Sequence, residues 1–433
     1  MKYCCLLMVL GCLLSCSGKK HLVKEADYSM YLKEGVLEKP VQLSAAEIKF
    51  WEARLQADTG SFVAMLKLGA AQQHYFKLTG TPRHLVMADS LFARSSVKLN
   101  DHDPEILYTR AQTAITRHRF AQAATYNDAA VNAQGDPYIH QLIGFDSGME
   151  LGQYWSAIRH LDSISDPSSF DYLIRKAKFE DHQGHQDRAI QLMEKAVEMV
   201  RGKKKGLYCW TLCNLADMYG HAGRPEKAYK AYLSVLEKDP AYLYALKGIA
   251  WIAFSHDRDS RVALQILNYI QRQTQMPDLW LMKAEIKEWE GDQAGKAVCL
   301  QRFKEETAHS DNGDMYNKYL IGLLSREYND VEKALSLALR ETKNRPTPET
   351  FDWLAWVYYQ NGQSRKALEI VMKNVYRQTS EPASIFHTAM IMEANGKNAE
   401  ALGLFKECTG SYFELGPLKE KIIRDKINTL SSM

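Results

Sequence analysis

Between residues 209 and 242 the apolar and small residues recur every three or four places, in two runs. Leu212, Leu215, Ala216 and Tyr219 make the first; Ala228, Tyr232 and Val235 make the second. That period is one face of an α-helix, so two helices are predicted. Gly223 between the runs suits the turn that ends the first helix, and Pro225 suits the first position of the next. Pro240 closes the unit. The arrangement then returns along most of the chain. Leu354, Ala355, Tyr358, Gly362, Ala367 and Val371 repeat it, as do Ile385, Ala389, Met392, Gly396, Ala401 and Phe405. Taken together, units begin at 104, 138, 170, 209, 243, 277, 315, 348 and 382, and the copies at 243, 277 and 315 are the weakest. A stretched earlier copy holds Leu68, Gly69, Ala88 and Phe92. Self-similarity at a period of 20–50 residues is the mark of a repeat architecture. No alternating Val/Ile/Thr run predicts a strand, so the chain reads as all-α.

This pattern resembles the tetratricopeptide repeat (TPR) family, in which a 34-residue helix-turn-helix unit carries small residues where its two helices cross. Ala216 and Ala228 stand at those places, with Tyr219 and Tyr232 beside them. The resemblance implies a TPR-type α-solenoid, a right-handed superhelix of about ten repeats over residues 44–410. Ser44 and Glu47 have the spacing of a capping box at its start. At its end, residues 411–433 carry Leu418, Ile422, Ile423, Ile427 and Leu430 as one stripe. They predict a closing helix over the last exposed face of the stack.

The first residues follow another pattern. Lys2 precedes an apolar run from Cys4 to Leu14, with Lys19 and Lys20 just beyond. As a helix that run would rise about 16 Å, too short for roughly 30 Å of hydrocarbon. It reads as a secretory signal peptide over 1–15. Leu13-Leu14-Ser15-Cys16 resembles the lipobox of bacterial lipoproteins, which implies cleavage before Cys16 and acylation of its thiol. A signal peptide that merely contains a cysteine is the alternative. Ser17, rather than Asp, after the cysteine implies the outer membrane, facing the periplasm. Residues 16–43 are polar and without helical period, and predict a tether that lets the body stand off the membrane.

Charge and composition narrow the function. The 433 residues carry 55 Lys and Arg against 52 Asp and Glu, a formal net charge of +3. That balance speaks against a nucleic-acid partner. The sequence offers no phosphate-binding glycine loop, no nucleophile elbow and no His-Glu-x-x-His, hence no predicted cofactor, metal or catalytic residue. His182 and His185 lack further ligands nearby. Cys209 and Cys213 read as packing residues, Asp257 and Asp259 as a faint and incomplete calcium loop, and Lys203–Lys205 as a solvated turn.

In the TPR family, set places on the first helix of each repeat line a concave groove. Carried onto this sequence they are Trp210 and Asp217, then Tyr244, Lys247 and Trp251, then Glu285 and Trp289, then Tyr316 and Arg326, and last Trp356 and Tyr359. Lys247 matches the family's carboxylate-clamp lysine, but Trp251 replaces the clamp's asparagine. The expectation is a partly exposed aromatic strip that binds a protein or peptide segment, on a lipid-anchored scaffold of the bacterial cell envelope. A glycan- or peptide-binding nutrient-uptake lipoprotein is the alternative, disfavoured by the nearly unbroken repeat spacing.

Overall fold

The structure, a computed structural model, describes residues 21–432. Cys16 and the signal sequence lie outside them. Among the described residues there is no strand, and no helix is long and apolar enough to cross a membrane.

Ten antiparallel helix pairs follow one another, from Phe62–Thr79 with Pro82–Lys98 to Pro382–Ala394 with Asn398–Glu407. This is the TPR-type α-solenoid. Each helix packs on its pair partner, and most pairs pack on the next. The small residue of each crossing is fully buried, as at Ala123, Ala157, Ala177, Ala216, Ala228, Ala263, Ala355 and Ala401. Pro82, Pro104, Pro137, Pro225, Pro348 and Pro382 each open a helix, where the missing N–H is no loss. The turn inside a pair needs one left-handed residue. Glycine supplies it at Gly152, Gly184, Gly223, Gly291, Gly362 and Gly396. In three pairs His118, Arg258 and Asn329 take that conformation instead, at φ between +50° and +63°. The turn therefore survives where its glycine is missing, and two of these pairs belong to the weak copies.

The solenoid closes on itself. Six pairs along, the chain returns over its own start. Thr79 O accepts from Gln275 N and from Thr274 Oγ1, both at 2.9 Å. Arg345 Nη2 reaches Glu150 Oε2 at 2.7 Å, 195 residues away, and Gly184 packs against Ser380. One superhelical turn is thus about 195 residues, with successive turns touching edge to edge.

Both ends depart from expectation. The capping box does not form: the first long helix is Glu38–Ala57, and Ser44 is buried inside it with no partner for its hydroxyl. The described part of the expected tether, residues 21–43, is no loose string either. Leu22 N and Val23 N donate to the Asp257 carboxylate at 2.9 and 2.8 Å. Tyr28 is fully buried against the middle repeats, and Tyr269 donates to Lys33 O at 2.7 Å. Val23, Tyr28, Tyr31 and Leu37 seat this stretch, and spacings of five, three and six residues make no helical period. Asp257 and Asp259, read as a faint ion loop, serve here. Asp257 holds the N-terminal segment, and Asp259 caps its own helix through Val262 N at 2.9 Å.

The closing helix Tyr412–Ser431 is present, broken at Gly416 (φ +78°) before Pro417. Leu415, Ile423 and Leu430 bury against Phe386, Phe405 and their neighbours, so it does cover the last pair. Ile422, expected in that stripe, is 40% exposed. Ile422 is one residue, about 100° around the helix, from the buried Ile423 and falls at the edge of the buried face.

Candidate functional site

The first helices of the middle repeats, Lys205–His221, Leu243–Ser255 and Asp278–Trp289, turn one face toward the Tyr412–Ser431 helix, which touches all three. The predicted groove positions fall on this side, but they do not form one open strip.

Trp210 and Tyr244 are open, at 41% and 47% exposure. Tyr244 Oη donates to Asp217 at 2.8 Å, and the Tyr232 hydroxyl donates to the same carboxylate. Burial pushes the Asp217 carboxyl up, while these two hydrogen bonds pull against it. Asp217 therefore faces not a ligand but two tyrosine hydroxyls, and it fixes the ring of Tyr244. Lys247 is likewise paired within the chain, to Asp278.

Trp251 and Glu285 are covered. Trp251 Nε1 and Ser255 Oγ both donate to Phe413 O, at 3.0 and 2.5 Å. The Phe413 ring lies over Gly220, where a Cβ would meet it at 2.5 Å. A Cβ on Gly416 would stand 2.6 Å from Glu285 Oε1 and 3.1 Å from the Trp251 ring. Arg258 pairs with Glu420, and His221 lies 4.0 Å from Glu414. The chain's own residues 413–420 therefore occupy the groove at this level. Beneath them Glu285 Oε1 has no hydrogen-bond partner, and burial pushes its carboxyl up against the pull of Lys419. Glu381 is raised by burial and by the nearby Glu414 charge.

The remaining positions divide again. Trp289 is 36% exposed, near the Arg258 guanidinium at 5.9 Å. Arg326 is exposed and lies 3.5 Å from Glu288. Tyr316 packs edge-on against Phe303. Trp356 stacks between Tyr359 and His387, with centroids at 4.9 and 3.8 Å, and His387 Nδ1 is 2.9 Å from the buried Asp352. Trp356 and Tyr359 thus belong to a packed aromatic column rather than an open surface.

Sequence reasoning missed Phe413, Gly416 and Glu420. A glycine-proline pair inside the expected last helix was the one local sign that this helix bends inward. Elsewhere Cys209 and Cys213 are buried free thiols. His185 pairs with Glu180 at 2.8 Å while His182 rests on Tyr154, so the two histidines serve different partners.

No protein-family model matches the sequence, and neither does any curated protein. Similar solved structures include human IFIT1 with PPP-AAAA (15% identity, TM-score 0.46, 72% of each chain). Yeast Tom70 is another (12%, 0.36, 94% of this chain and 96% of that one). A tetratricopeptide repeat protein from Parabacteroides merdae is a third (16%, 0.29, 69% and 100%). These are likenesses of fold. They nevertheless correct one expectation: nucleic acid is not excluded as a partner, since human IFIT1 structures contain triphosphate or capped RNA. Net charge describes the whole chain, whereas recognition of an RNA end needs only a local lining.

Proposed function

We propose that this chain is a protein-binding scaffold, lipid-anchored at Cys16 in a bacterial cell envelope, at the outer membrane facing the periplasm. The anchoring part of this reading is carried by Leu13-Leu14-Ser15-Cys16 and the short apolar run before it. The binding part is carried by one observation: Trp210 and Tyr244 stand exposed at equivalent places on consecutive first helices, with Tyr244 fixed by Asp217. Stiff aromatic rings give much contact area at little loss of freedom and dominate binding hot spots. The covered positions Trp251 and Glu285 are not part of this landing site.

The test places a photo-crosslinking residue at 210 or 244, with position 155 as an exposed control. Cross-links to one protein segment at 210 and 244, absent at 155 and reduced by Trp210→Ala, support the scaffold. Specific labelling by a glycan, or by an RNA with a 5′-triphosphate, would replace it with a different ligand class. The anchor is tested apart, by Cys16→Ala, which should abolish N-terminal acylation in mass analysis.

A further inference from the structure

We propose that the corner made by the 256–259 turn and the Glu420–Arg424 stretch lies directly against the phospholipid surface, so that the body does not stand off from the membrane. This rests on the lipid-anchor reading above and goes beyond it. His21 Nδ1 is 3.5 Å from Asp259, and the next two amides are held by Asp257. Burial alone would raise the Asp257 carboxyl, but hydrogen bonds from His256, Leu22 and Val23 outweigh it and hold the group below its ordinary range. The chain is therefore pinned to this turn from residue 21 onward. Five residue steps separate His21 from Cys16, and even fully extended they span at most about 18 Å. A single helix such as Lys205–His221 is longer, about 25 Å. Acyl chains at Cys16 would hold this corner close to headgroup level.

The corner suits that place. Arg258 joins the turn to Glu420 on the C-terminal helix, and Arg424 pairs with the same glutamate. Around this junction the basic Lys24, Arg258, Arg261, Lys421 and Arg424 balance the carboxylates of Glu25, Asp257, Asp259, Glu420 and Asp425, and Lys24, Arg261, Lys421 and Arg424 are exposed. The exposed lysines and arginines can meet headgroup phosphates. Ile422 and Trp289 expose apolar surface nearby, the kind of side chain that sits at a membrane interface.

The experiment uses the mature full chain in vesicles of phosphatidylethanolamine and phosphatidylglycerol. The body cysteines Cys209, Cys213, Cys299 and Cys408 are buried, so a fluorophore goes to one new surface thiol: Arg261→Cys, Ile422→Cys or Trp155→Cys. Trp155 is 84% exposed and lies three helix pairs earlier, half a superhelical turn away. With a quencher on the lipid headgroup, quenching at 261 and 422 should exceed that at 155 at least threefold. Equal quenching in protein whose N-terminal lipid is confirmed by mass would overturn this inference and leave the anchor standing. Mass analysis without lipid would overturn both. Asp257→Ala should bring the ratio toward one by freeing the segment, and an unchanged ratio would overturn the pinned lead as its cause.

Discussion

The indole N–H of Trp251 donates to the carbonyl of Phe413, 3.0 Å away and 162 residues later in the chain. Through this bond the end of the chain closes the inner face of its own middle repeats. Gly416, at φ +78°, is what lets the segment turn in beside Trp251 and Glu285. Gly416→Val adds both a backbone strain and a clash, so the segment should lift. The expected loss is about 1–3 kcal/mol, with a red shift of Trp251 emission as water reaches its ring. Fluorescence and thermal melting of the full chain check it. Unchanged emission would mean that the segment does not seal Trp251.

Acidity should tighten this closure. Glu285 and Glu381 have carboxyls raised by burial, so the folded state binds their protons more readily than the unfolded chain does. Stability from these groups then grows as pH falls from neutrality toward the ordinary glutamate value, and is lost as pH rises through the raised one. Glu285→Gln should remove part of that slope and raise stability at pH 7 by about 1 kcal/mol. Melting curves between pH 5 and 8 decide the matter. A mutant with the same slope as the parent would count against it.

The contact between superhelical turns should show the opposite pH dependence. Burial would raise Glu150, but Lys178 and Arg345 overcome this and hold it low. Its contribution is present above the ordinary carboxylate range and is lost as pH falls through the lowered value. Glu150→Gln should cost about 1–3 kcal/mol and let the turns separate, enlarging the radius of gyration in small-angle scattering. A scattering curve identical to the parent's would show that other edges hold the turns.

Two glycines separate backbone strain from packing. Gly223 has φ +67° and open space around its Cα, so Gly223→Ala should cost about 1 kcal/mol from the dihedral alone. Gly248 is helical, but a Cβ there would run into the Tyr232 ring. Gly248→Ala should therefore cost more, about 1–3 kcal/mol, and Tyr232→Leu should relieve it in part. Urea melts of the single and double mutants test the difference. Simple additivity in the pair would refute the clash.

Ala216 and Ala355 are fully buried where paired helices cross. A tryptophan at either place should cost about 1–3 kcal/mol or more and lower the melting temperature. A melting curve like the parent's would mean that the helices have room at the crossing.

The helix pairs were legible in the sequence because each rests on neighbours within some forty residues. Alanine at the crossing, a three-and-four period and a proline at the helix start are local demands, and local sequence answers them. Nine unit starts read from the pattern lie within four residues of the observed helices. Tertiary structure alone decided what the pairs add up to. Each is turned slightly against the last, and only the accumulated rotation brings Thr79 under Gln275 and Glu150 under Arg345. No short-range period records an approach between residues 195 places apart. The fate of the predicted groove followed from the same cause. Trp210 and Trp251 occupy equivalent sides of successive repeats and looked alike in sequence. One is open and the other half-buried because the C-terminal segment covers only the second, and exposure belongs to whatever covers a side chain rather than to the side chain itself.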